Sequence, residues 1–219
     1  HPPTPDRVRA ARAEARATGI APGKGRRNRN GYLSHINGMI YGDSPSQGIV
    51  DGNRFVHPQL RFSFSVPKGF RISNSTQAVM VTGPEKTIAK FDGATKAAGV
   101  PVASYLANSW ARNVRIGNLR RFKLNGMNAA SALARVNNYN ARLVVIEYSP
   151  TRVYRFLLGT LPQVGGRYDK ALQSLVGSFH RISKAQASRV KPRRVKIVKV
   201  RSGQTVASLA RRMAFSSYR

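Results

Sequence analysis

RLVVIEYSPTRVYRFLLGT, residues 142–160, is the stretch on which the fold turns. Two runs rich in β-branched and aromatic residues, Arg142–Tyr148 and Arg152–Thr160, flank Ser149-Pro150-Thr151. So short a connection joins antiparallel neighbours, because a parallel pair needs a crossover of a dozen or more residues. Working outward, LRFSFSV (60–66) sets Leu60, Phe62, Phe64 and Val66 on one face and Arg61, Ser63 and Ser65 on the other, the alternation of a half-buried strand. QAVMVT (77–82), TIAKF (87–91), RFKLN (121–125) and NAASALARV (128–136) supply further strands. Two segments carry helical spacing instead: PVASYLANSWAR (101–112), through Val102, Leu106 and Trp110, and YDKALQSLVGSFHRI (168–182), through Leu172, Leu175, Val176 and Phe179. The expected fold class is α+β, an antiparallel β-sheet flanked by helices. Phe62, Phe64, Trp110, Val144, Ile146, Phe156, Leu172, Leu175 and Phe179 are expected to share one hydrophobic layer. The rival reading of Trp110 is a recognition residue, exposed for stacking on a sugar or a partner's side chain.

On either side the pattern changes. Residues 1–30 hold a capped helix, Thr4-Pro5-Asp6 followed by RVRAARAEARA, and then the glycine-, proline- and arginine-rich connector GIAPGKGRRNRNG. Residues 31–182 form the compact domain. Residues 183–219 are a basic linker, KPRRVKIVKVR (191–201), with alternating Val195, Ile197, Val198 and Val200 suggesting a strand, a Ser202-Gly203 turn and an amphipathic helix in TVASLARRM. Because the chain begins at His1 rather than Met, it is read as a piece of a longer protein.

Composition narrows the function classes. The 219 residues include 38 Lys and Arg against 8 Asp and Glu, a net charge of +30, which attracts polyanions of any kind. Lys191, Arg193, Arg194, Lys196, Lys199 and Arg201 are the candidate polyanion-binding residues. No cysteine is present, which removes disulfide frameworks and thiolate zinc clusters. No apolar run approaches the roughly 20 residues that cross a bilayer as a helix. The histidines, His1, His35, His57 and His180, lack the i, i+4 spacing of a helical metal pair, and there is no HExxH. His57 is expected to bond backbone and His180 to sit at a helix C-terminus, while His35 and Asp43 are too weak a pair to name as catalytic. Glu147 is either a buried acid with a raised pKa or the outward partner of an arginine.

HPPTPDRV (1–8) resembles the His-Pro…Arg motif that closes the catalytic domain of zinc metallopeptidases of the HtpX and BepA type, exported gluzincins. GYLSHINGMIYGDSPSQGIVDGNRFVHPQLRFSFSVPKGF (31–70) is similar to the region that follows the protease domain in a proteobacterial subgroup. VKVRSGQTVASLARRM (198–213) resembles a LysM-type ending, with Gln204 where an acid is common. The order of hairpin, helix, strands and final helix in the middle domain looks like the PsbP-like fold. The resemblance implies that His1 lies near the catalytic zinc as an auxiliary ligand and that Arg7 forms part of the active-site wall. It places the HExxH motif ahead of His1, so this chain alone is expected to be inactive and to bind no zinc tightly. The implied role is a non-catalytic accessory region in the periplasm or cell envelope. Its partners would be the catalytic domain in cis and an anionic envelope polymer or protein substrate. The alternative is a stand-alone cationic protein binding nucleic acid or the envelope; for nucleic acid, the absence of RNP-type aromatic motifs and zinc fingers counts against it.

Overall fold

A computed structural model describes residues 4–21, 24 and 28–214. Contacts divide the chain into two compact units, residues 1–39 with 194–219 and residues 40–193. His1 lies outside the described residues.

In the smaller unit, α1 (Thr4–Ala17) buries none of its side chains. The end of the expected connector is helical: α2 (Arg29–Ile36) starts at Asn28, whose side chain accepts the Gly31 N–H at 3.0 Å. The strand expected over 195–200 does not form. Val195 N–H donates to Met39 O (2.9 Å), Val195 O accepts Gly38 N–H (2.8 Å), and Ile197 N–H donates to Asn37 Oδ1, but among the described residues no strand partner continues the ladder and Val198 and Val200 stay exposed. The helix expected after Gly203 is present as α6 (Val206–Ala210), closed at its start by reciprocal Thr205–Ser208 bonds.

The larger unit begins with β1 (Ile49–Asp51), β2 (Arg54–His57) and β3 (Phe62–Ser65), which with β11 (His180–Arg181) make a four-stranded sheet in the order β1-β2-β3-β11. β4 (Arg71–Asn74), β5 (Val79–Thr82), β6 (Ile88–Thr95), β7 (Ile116–Leu124), β8 (Met127–Val136), β9 (Tyr139–Ser149) and β10 (Arg152–Thr160) form a seven-stranded antiparallel sheet, order β4-β5-β6-β10-β9-β8-β7. α3 (Val102–Tyr105) widens out of α-geometry into a π-turn, Leu106–Trp110, closed by Ala111 N–H to Leu106 O at 2.8 Å. α4 (Asp169–Gly177) ends before Phe179, so His180 lies in β11 rather than on the helix, and α5 (Lys184–Arg189) follows. The fold class is α+β, antiparallel sheets flanked by helices.

The expected β9–β10 hairpin turns at Pro150-Thr151 with a register shift beside Arg152. At the β7–β8 corner, Asn125 (φ 46°) and Gly126 (φ 81°) take the two left-handed positions that a type I′ hairpin requires. Gly48 (φ 88°) lets the Phe55 ring close on the backbone; a Cβ there would come within 2.2 Å of it.

Two cores replace the single expected layer. Phe62, Phe64, Val144, Ile146, Phe156, Leu172, Leu175 and Phe179 do converge, between the large sheet on one side and α4 with the small sheet on the other. Trp110 does not join them. With Val102, Leu106, Leu143 and Val145 it belongs to a second cluster on the opposite face, under α3 and its π-turn. The cause is in β9: Leu143, Val144, Val145 and Ile146 are all buried, so alternate residues feed opposite cores. Trp110 is half-buried, with the Arg155 guanidinium 5.1 Å from its ring centroid. In thermal or urea unfolding, Phe156→Ala is expected to cost about 3–5 kcal/mol, and Trp110→Ala only about 1–2 kcal/mol from partial burial and a cation–π contact.

Candidate functional site

The hairpin ends and the start of α3 meet around an open cleft of about 580 Å³ in the larger unit. Lys96, Val100, Asn128, Glu147, Tyr148 and Arg181 line it. Register dictates who meets whom: Asn128 near the start of β8 and Glu147 near the end of β9 point to the same side of the sheet, as does Lys96 just past β6. Lys96 has its side chain 1% exposed, and its Nζ reaches Glu147 Oε1 (2.8 Å), Val100 O (2.9 Å) and Pro150 O (2.8 Å), which uses all three ammonium donors. Glu147 Oε2 accepts from Asn128 Nδ2 (2.7 Å), and Asn128 Oδ1 accepts from Lys123 Nζ (2.6 Å).

Burial pushes the Glu147 pKa up, but hydrogen bonds from Asn128 and Lys96 and the charges of Lys96 and Lys123 outweigh it, leaving the carboxyl below its ordinary value of 4.5. Of the two readings of Glu147, the raised acid is therefore corrected, and its partner is a lysine rather than an arginine. With the ammonium saturated and the carboxylate ionised, the pair braces the β6, β9 and α3 ends and supplies no free acid, base or amine nucleophile. On the cleft's other wall, Tyr148 Oη donates to the carbonyls of Leu60 and Arg61, and the Arg181 guanidinium lies over the Tyr148 ring, 4.0 Å from its centroid, bonded to Tyr148 O.

Trp110 faces a second polar group. Arg155 is held by Asp92 through Nε–Oδ1 (2.6 Å) and Nη2–Oδ2 (2.9 Å), and Nη1 reaches Tyr105 Oη at 3.4 Å. Burial would lower the Arg155 pKa, but Asp92 raises it further, so the cation under the indole is permanent. The π-turn sets Trp110 beside this guanidinium, and the residue is only partly buried.

The other site residues scatter. Arg7 is exposed on α1. The boundary between the two units falls between Arg193 and Arg194, dividing the six tail cations. Arg193 pairs with Asp51 (3.6 Å) and Arg194 Nη1 bonds Gly38 O (2.6 Å), while Lys191, Lys196, Lys199 and Arg201 are exposed with no ion pair among the described residues. His57 Nδ1 accepts Leu60 N–H (3.2 Å), and burial lowers its pKa, so the ring is neutral and structural. His35 and His180 bond the Gly31 and Ser178 carbonyls, and Asp43 accepts Val50 N–H, so His35 and Asp43 are spent separately. Among the described residues no three His, Cys, Asp or Glu side chains lie close enough together to hold a metal.

Lys96, Asn128 and the Asp92–Arg155 pair escaped sequence reading, because each becomes a partner only through strand register. The single available signal was Asn125-Gly126, a dipeptide that pins the β7–β8 register and thereby Asn128 opposite Lys123.

No protein-family model matches the chain, and no curated protein matches it. Among solved structures it is similar to cyanobacterial PsbP (CyanoP) from Synechocystis, with 11% identity and TM-score 0.46 over 66% of this chain and 98% of that one. A protein from Bacteroides thetaiotaomicron is similar at 11% identity and TM-score 0.45, over 62% of this chain and 50% of that one. LpqN, involved in cell envelope biogenesis of Mycobacterium tuberculosis, is similar at 13% identity and TM-score 0.42, over 72% and 98%.

The depressed Glu147 pKa has a definite sign. Its stabilisation is fully present above the unfolded value near 4.5 and is lost as pH falls through the lower folded value. Glu147→Gln is expected to cost about 2 kcal/mol, less than the ~3–5 kcal/mol for a fully buried pair because Lys96 keeps two carbonyls. Urea unfolding between pH 3 and 7 checks this: the variant is expected to show a shallower acid loss than the parent.

Proposed function

We propose that this chain is a non-catalytic accessory region that holds a zinc metallopeptidase of the HtpX and BepA type near its substrate at the cell envelope, acting through protein and polyanion contacts. The observation that carries it is the exposed, unpaired basic tail, Lys191, Lys196, Lys199 and Arg201, on a chain of net charge +30. The saturated Lys96–Glu147 pair supports a binding rather than a proton-transferring role for the larger unit. The sequence resemblances of residues 1–8, 31–70 and 198–213 point to the same enzyme family. Zinc and the catalytic step belong to the catalytic domain in this reading, and no residue described here carries them.

Two measurements test it. Purified chain is expected to leave casein intact with or without added zinc; chelator-sensitive cleavage would overturn the accessory role. On immobilised dextran sulfate the full chain is expected to elute at high salt. Replacing Lys191, Arg193, Arg194, Lys196, Lys199 and Arg201 together by Gln is expected to weaken retention roughly tenfold or more at moderate salt without changing the circular dichroism spectrum. Unchanged retention would show that the tail charge is only solvated surface.

A further inference from the structure

β7 is the outermost strand of the seven-stranded sheet, bonded on one side to β8 and, among the described residues, to no strand on the other. Its residues 117–123 are exposed without interruption, which is long for an uncovered edge. A register shift between Gly117 and Arg120, with Asn118 at φ 50°, breaks the ladder and leaves Arg120–Leu124 as the continuous edge.

The side chains here carry one sign. From Ala111 to Ile146 the sequence has no carboxylate and seven cations: Arg112, Arg115, Arg120, Arg121, Lys123, Arg135 and Arg142. None joins an ion pair among the described residues; Lys123 bonds Asn128 instead. Register splits them between faces. Arg120 lies opposite Ser131, and Arg142 opposite Leu133, on one face with Phe122; Arg121 and Lys123 lie on the other. Apolar surface is interleaved, with Leu119 45%, Phe122 37% and Leu133 38% exposed.

Each candidate partner meets these features differently. A second copy of this chain brings a like charge to the same edge and is repelled. A bilayer offers nothing to the unpaired backbone groups of β7, which become costly as they leave water. Nucleic acid finds charge but only one aromatic ring, Phe122, to stack on. An extended acidic peptide satisfies everything present: its backbone completes the β7 hydrogen bonds, and carboxylates on successive residues reach Arg120 on one face and Arg121 and Lys123 on the other. We propose that the Arg120–Leu124 edge of β7 docks an extended, acidic polypeptide segment as an eighth strand. This deepens the accessory reading by naming the class of substrate segment the region would hold, through residues other than those of the tail.

The test uses the full chain and a fluorescein-labelled eight-residue peptide in which Glu-Glu pairs alternate with Val-Thr pairs, so that carboxylates lie on both faces of the strand, followed by fluorescence anisotropy. N-methylation of one alternate set of peptide residues, and only that set, is expected to weaken binding about tenfold or more, since successive strand amides point to opposite sides. Arg120→Glu with Arg121→Glu is expected to weaken it about as much by charge reversal, with an unchanged melting temperature confirming the fold. The tail-substituted chain is expected to bind the peptide like the parent, so failure of the tail reading and failure of this one are separately visible. Equal binding of both N-methylated peptides would reduce the contact to charge alone and overturn strand addition. No peptide binding would overturn it too, as would binding of single-stranded oligonucleotide or phosphatidylglycerol vesicles that the double substitution abolishes while the peptide is unaffected.

Discussion

The constraint on which the larger unit depends is that the β9–β10 hairpin is apolar on both faces. Leu143 and Val145 on one side and Val144 and Ile146 on the other are all buried, and Val153 faces away from Phe156 in the same manner. A sheet with such a centre must be covered twice. One cover is α3 with its π-turn. The other is composite, α4 beside the small sheet, and it brings Phe55, Phe62, Phe64 and Phe179 onto Phe91, Tyr154 and Phe156. The rings pack at centroid separations such as 4.4 Å for Phe62–Tyr154 and 4.7 Å for Phe91–Phe156, tilted against each other as their quadrupoles prefer. Residues far apart in sequence are thereby tied together: Asn125 at the β7–β8 corner bonds the Gly177 and Phe179 carbonyls, and Ser178 bonds Ser65.

Charge follows a complementary economy. The eight carboxylates are few, and most are consumed internally: Asp92 by Arg155, Glu147 by Lys96, Glu85 by Arg167, Asp51 by Arg193, Asp6 by Arg9, and Asp43 by the Val50 N–H. They steady strand ends and loops. The remaining cations therefore face solvent with little acid to screen them, and the net charge is expressed at the surface, along β7 and in the tail. A protein built this way is suited to long-range attraction of acidic partners, with recognition supplied by short-range features such as an open strand edge or the half-exposed Trp110.

Alternation and turn chemistry, local properties, determined a good deal: the antiparallel sheet, the 149–151 hairpin, β3, the cores of β5, β6, β8, β9 and β10, the α4 and α6 helices and the excess of positive charge were all legible in residue order. Membership of the two cores was not. Helical spacing puts Val102, Leu106 and Trp110 on one face but cannot say against which side of the sheet that face will lie, although the unbroken LVVI of 143–146 marked a strand buried on both sides. The strand expected at 195–200 failed for a related reason: alternation supplies a face, and only a neighbouring strand supplies the ladder. Tertiary structure alone decided the Lys96–Glu147–Asn128 brace, the Arg155 platform beneath Trp110 and the placement of β7 at the sheet edge, because each depends on which strands become neighbours and in what register, a property of the whole chain and of no segment within it.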